Sequence, residues 1–94
     1  MHIYISGRVT GEPDYFSHFM QAETDLIKQG YIPINPVRNE PDGESWTYYM
    51  RHDLIKLCSS CDKIYMLKGW RRSKGARLEH HIAKKLGFKI IYEH

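Results

Sequence analysis

Lys63-Ile64-Tyr65-Met66-Leu67, then Lys68-Gly69, a polar stretch from Trp70 to Lys74, an apolar-periodic segment to Leu86, and Gly87 before Phe88-Lys89-Ile90-Ile91-Tyr92 read as strand, loop, helix and strand. Ile64, Tyr65, Met66 and Leu67 form the near-continuous apolar run of a strand buried on both faces. Ala76, Glu79, Ile82, Ala83 and Leu86 fall on one helical face, and Gly69 and Gly87 punctuate the two ends. Two strands joined through a helix pair in parallel by a right-handed crossover.

The same alternation extends towards the N-terminus. His2-Ile3-Tyr4-Ile5 alternates and stops at Ser6-Gly7, the strand pattern followed by a turn. From about Asp14 to Gln29, Phe16, Phe19, Met20, Glu23, Leu26 and Ile27 recur at helical spacing, and Gly30 ends the helix. Tyr31 to Ile34 is a short second strand. Ser45 is the candidate N-cap of a second helix with Trp46, Tyr49, Met50, Leu54 and Leu57 on its apolar stripe, fraying near Cys58 to Cys61. The expected fold is one α/β domain over residues 1–94: a doubly wound, four-stranded, mainly parallel sheet with helices on both faces. In such sheets ligands bind beyond the carboxyl ends of the strands, so the loops Ser6 to Pro13, Asn35 to Glu44 and Lys68 to Lys74 should converge on one cleft.

Composition narrows the class. With 41% hydrophobic and 27% charged residues the chain has the mixture of a compact domain, not of a disordered one. Fourteen Lys+Arg against eleven Asp+Glu leave +3, with a basic cluster from Lys68 to Arg77, which suits a small anionic ligand better than nucleic acid, for which no recognition motif is present. No apolar run reaches the ~20 residues of a membrane helix, and Met1-His2 leads straight into a strand with no targeting pattern, so a cytoplasmic protein is expected. A sheet this short is marginal alone, and Trp46, Tyr48, Tyr49 and Tyr15 exceed the needs of one core, so a homo-oligomer, most simply a dimer, is expected.

Glu79 and Asp53 put carboxylates on helical stripes where periodicity asks for apolar side chains. Two carboxylates facing one pocket provide a nucleophile and a proton donor for a glycosidic carbon; the competing reading has them complement a helix dipole or a nearby Arg. Gly69 to Gly75 enters a helix after a strand, so its backbone N–H groups, Ser73 and cations suit a phosphate, or else form a solvated basic turn. Ser6, Gly7 and Arg8 end the first strand in a similar way. Tyr4 shares a strand face with Ser6, placed to orient a catalytic group or to serve as a half-buried strand tyrosine. Trp70, in a loop, is a better stacking candidate than Trp46 or Tyr49, whose helical spacing suggests core. Cys58-Ser59-Ser60-Cys61 follows a helix and precedes a strand, the wrong context for a redox pair, and adjacent His80-His81 diverge on a helix, so two structural thiols and no metal or cofactor are expected.

The ordered blocks Tyr4-Ile-Ser-Gly7, Thr10-Gly11, Pro13-Asp14-Tyr15, Arg51-His-Asp53-Leu, Cys61-Asp62 and Gly69-Trp70-x-x-Ser73-x-Gly75-Ala76-x-x-Glu79 resemble the DUF4406 branch of the nucleoside 2-deoxyribosyltransferase-like superfamily. The resemblance implies a flavodoxin-like fold and cleavage or transfer at the N-glycosidic bond of a 2'-deoxynucleoside or its 5'-monophosphate. It places Glu79 as nucleophile, Tyr4 beside it and Asp53 as the acid that assists departure of the base. Ser73, six residues before the glutamate, matches the nucleotide hydrolases rather than the transferases, which tend to carry an acid there. Members of the branch often read Ser-Gly-Pro where this chain has Ser6-Gly7-Arg8, so Arg8 either adds a phosphate contact or marks a drifted loop. The alternative from another class is a protein that binds or sequesters a nucleotide without turnover.

Overall fold

A computed structural model describes residues 2–94. The strands are β1 (His2–Ser6), β2 (Pro33–Ile34), β3 (Cys61–Met66) and β4 (Lys89–Tyr92); the helices are α1 (Tyr15–Lys28), α2 (Trp46–Ser60) and α3 (Lys74–Lys85), with one 3-10 turn at Trp70–Arg72. The sheet has the order β2-β1-β3-β4, and every pair is parallel. The architecture is therefore a small flavodoxin-like α/β fold.

Strand order and handedness together place the helices. The chain moves from β1 outward to β2, then back across β1 to β3 and on to β4, so a right-handed crossover sends α1 to one face and both α2 and α3 to the other. Two apolar clusters record this. Ile3 and Ile5 meet Phe19, Ala22 and Leu26 of α1, whereas Tyr4, Ile64 and Met66 meet Leu57 of α2 and Ala76 and Ala83 of α3. The period-two alternation of β1 thus gives Ile3 and Ile5 to one layer and Tyr4 and Ser6 to the other.

Several boundaries differ from the sequence reading. The second strand shrinks to Pro33–Ile34, because Tyr31 N–H closes the end of α1 on the Leu26 carbonyl and Pro33 has no N–H to give a ladder. The second helix does not fray at Cys58; it runs to Ser60 and passes directly into β3, which starts at Cys61 rather than Lys63 and ends at Met66 rather than Leu67. Cys61 is buried in the same cluster as Leu57, so packing carries order through the junction. Phe16, Ile27, Trp46 and Leu86, all assigned to core-facing stripes, are exposed. No helix among the described residues is long and apolar enough to cross a membrane.

Candidate active site

The strand order reverses between β1 and β3, and a cavity of about 700 Å³ opens beyond their carboxyl ends, the place where open parallel sheets take ligands. All three expected loops reach it: Gly7, Val9 and Thr10 after β1, Val37, Arg38, Glu40, Pro41, Asp42 and Glu44 after β2, and Arg72 and Ser73 before α3.

Glu79 lies at its floor. Ala76, Glu79 and Ala83 share the buried face of α3, and the short alanines bring that helix close over β1. The Glu79 carboxylate accepts from both polar residues on that face of β1: Tyr4 Oη at 2.7 Å on Oε2 and Ser6 Oγ at 2.7 Å on Oε1. Tyr4, Ser6 and Glu79 are 0%, 1% and 5% exposed, so the trio is a fully satisfied polar island inside an apolar layer. Burial pushes the Glu79 carboxyl up to about 7, against the two hydroxyls, which favour its ionised form. Burial likewise raises the Tyr4 phenol well above its ordinary range, with the Glu79 charge adding, so Tyr4 stays a donor.

Asp53 comes to the same cavity from the middle of α2. Burial first, then the Glu40 carboxyl within hydrogen-bonding reach and the Glu79 charge, push the Asp53 carboxyl up to about 9, with Lys56 opposing. Glu40 is a wall residue that periodicity does not reveal, because it sits in an irregular loop. That loop is held by Tyr49, whose hydroxyl donates to the Pro41 carbonyl and accepts from Glu44 N–H at 3.2 Å, and by a bidentate Arg38–Glu23 pair back to α1.

The entry to α3 also borders the cavity. Ser73 caps the helix, its Oγ accepting from Ala76 N–H at 3.1 Å, which leaves the hydroxyl hydrogen free to donate. Arg72 and Lys74 flank it, and Gly75 holds the helix close to α2, since a Cβ there would lie 2.9 Å from Met50 Sδ.

Three expected ligand residues are placed differently. Ser6 turns inward and spends its hydroxyl on Glu79. Arg8 does not border the cavity; its guanidinium packs against Gly11, 2.9 Å from where a Cβ would stand. Trp70 lies outside as well, stacked on His80 with centroids 4.3 Å apart and 28° between planes. The two helical aromatics assigned to core, Trp46 and Tyr49, border the cavity instead, with Lys74 Nζ 4.2 Å from the centre of the Trp46 ring. The reason is that α2 begins at the cavity rim, so its first turn meets open space rather than sheet.

Cys58 and Cys61 are free thiols, and burial pushes Cys61 up to about 11, the opposite of an activated thiolate. Among the described residues, no three His, Cys, Asp or Glu side chains are grouped as a metal ion would require.

No curated protein and no solved structure matches the chain. A family model described as a domain of unknown function, DUF4406, does match, over residues 1–92, the stretch that carries Tyr4, Ser6, Asp53, Ser73 and Glu79, and the chain belongs to that family.

Proposed function

We propose that the protein cleaves or transfers the N-glycosidic bond of a 2'-deoxynucleoside 5'-monophosphate, within the wider nucleoside 2-deoxyribosyltransferase-like group. The observation that carries this reading is the contrast between two carboxyls in one cavity. Glu79 is held by two hydroxyls that stabilise its anion, and Asp53 lies in surroundings that keep its proton. Environments that push two acids apart assign the nucleophile and the acid.

In the first step a Glu79 oxygen attacks the anomeric carbon as the carbon–nitrogen bond breaks. The bonding pair leaves with the base, and Asp53 supplies the proton that makes the base a neutral leaving group. Tyr4 and Ser6 hold the attacking carboxylate in place. In the second step water, or the nitrogen of an acceptor base, attacks the same carbon, the carbon–oxygen bond to Glu79 breaks to release the carboxylate, and the proton of the attacking group is lost to solvent. The 5'-phosphate fits the entry to α3, where free N–H groups of the first turn, the Ser73 hydroxyl, Arg72 and Lys74 combine. Trp46 and Phe16, 40% and 49% exposed at the cavity, offer apolar surface to a base or to a second copy of the chain, in keeping with a homodimer.

The test is release of free base from a panel of deoxynucleosides and their monophosphates, followed by chromatography. Monophosphates are expected to be substrates and to bind more tightly than nucleosides, with salt eroding the difference. Glu79→Gln is expected to lower turnover by several orders of magnitude. Tight binding of monophosphates with no base released would establish the binding-only alternative and end the enzymatic reading.

A further inference from the structure

Asp53 Oδ1 and Glu40 Oε1 are buried atoms with no hydrogen-bond partner among the described residues, yet both side chains belong to the wall of one cavity, where Glu40 is the acid that acts most strongly on Asp53. Ionised carboxylates only accept hydrogen bonds, so two neighbouring carboxyls with buried, unpaired oxygens are accommodated favourably only with a proton between them. We propose that Glu40 is the positioning residue of the site: it shares a proton with Asp53 and so keeps Asp53 loaded as the donor to the departing base.

The surroundings favour that arrangement. From α3, Glu79 adds a second negative charge facing Asp53; from β1, Tyr4 faces the same group as a neutral phenol; within α2, Lys56 draws Asp53 towards ionisation. Arg38 borders the cavity but is engaged by Glu23, and Arg72 and Lys74 border it from the entry to α3. Loop and helix are tied by Tyr49, which holds Pro41, the residue after Glu40, against α2. When Asp53 gives its proton to the base nitrogen, two carboxylates are left side by side, and their repulsion draws a proton back from solvent and resets the donor. The catalytic use of the pair rests on the function proposed above; its existence does not.

Carbon-13 NMR titration of the Asp53 side-chain carboxyl, on ligand-free protein, tests the pair without any substrate. In the wild type the Asp53 midpoint is expected well above the ordinary aspartate range. In Glu40→Gln and in Glu40→Ala it should fall by about one pH unit or more, while Lys56→Gln should move it upward. Two Glu40 variants are used so that the answer does not hang on one side chain being accommodated in the loop. An Asp53 midpoint in the ordinary range in the wild type, or one that moves by less than about half a unit in both Glu40 variants, overturns the proposal. Where base release is measurable, the alkaline limb of its pH profile should shift down by the same amount in Glu40→Gln. A shifted midpoint in a protein that releases no base would leave the proton-sharing pair standing and remove the enzymatic reading alone.

Discussion

At the scale of single residues the site turns on how one buried carboxylate is held. Glu79 was legible in the sequence because an acid interrupts an otherwise apolar helical stripe, and Tyr4 and Ser6 because strand alternation puts them together on one face. What spacing does not reveal is the contact itself, or that the Ser6 hydroxyl is donated to Glu79. Glu40 had no such signal, since an acid in an irregular loop breaks no pattern. Tyr4→Phe removes one of the two donors to Glu79 while keeping the ring in the core. A donor to the carboxylate lowers its pKa, so its loss raises the Glu79 midpoint above about 7, and the acid limb of any pH–rate profile moves towards alkaline pH. Ser6→Ala is expected to act in the same direction through the other oxygen. Carboxyl titration by NMR decides: a Glu79 midpoint that falls in either variant would contradict the assigned hydrogen bonds.

At the scale of elements, periodicity predicted the order of strands and helices but not which residues of a stripe are covered. The covered stripe of α1 is narrow: Phe19, Ala22 and Leu26 point at the sheet, whereas Phe16 and Ile27 lie to one side of that line and stay exposed. The junction of α2 and β3 escaped the reading for a related reason: polar Ser59 and Ser60 resemble a loop, although the buried residues on either side hold the chain ordered. Gly7 shows how closely β1 and β3 meet at the cavity floor. A Cβ there would stand 2.8 Å from Leu67 Cδ1 and 3.0 Å from its Cβ, and Leu67 is buried with its N–H fixed to the Ser6 carbonyl at 2.9 Å. Gly7→Ala should therefore destabilise the fold by about 1–3 kcal/mol, the usual range for overpacking. Gly75→Ala is crowded by the flexible end of Met50 alone, Trp46 Nε1 being at an ordinary contact distance of 3.6 Å, and gains helix propensity worth up to about 1 kcal/mol, so its effect should be much smaller. Urea unfolding of both variants settles the ranking, and equal losses would show that the β1–β3 contact is less rigid than argued.

At the scale of the whole molecule, the topology that was read from the sequence explains where the acids are, and their burial sets a cost that stability measurements can detect. Glu79 and Asp53 keep protons in the folded chain to about 7 and about 9, whereas in the unfolded chain they lose them near their ordinary values of 4.5 and 3.8. Over the interval between those values the native state binds more protons than the unfolded state, so stability falls as pH rises, by up to about 1.4 kcal/mol per pH unit for each such group. Below about 6.5 His80 works the other way, because burial and the nearby cations lower its pKa and the unfolded chain takes up the proton first. Between about 7 and 9 Asp53 dominates this balance, and the buried Cys61 thiol, raised from 9.0 to about 11, adds the same sign only as pH nears 9. The wild type is expected to lose stability steadily from pH 7 to pH 9 in urea titrations. Asp53→Asn, which cannot ionise, should flatten that slope and exceed the wild type at pH 8.5 by about 1 kcal/mol or more, even as it lowers catalysis. Gain of stability with loss of activity from one substitution is the signature of a group kept in an unfavourable environment for its chemistry. A wild type whose stability is level across this window, or an Asp53→Asn variant that is the less stable of the two at pH 8.5, would mean that Asp53 is already ionised in the folded protein and cannot serve as the proton donor.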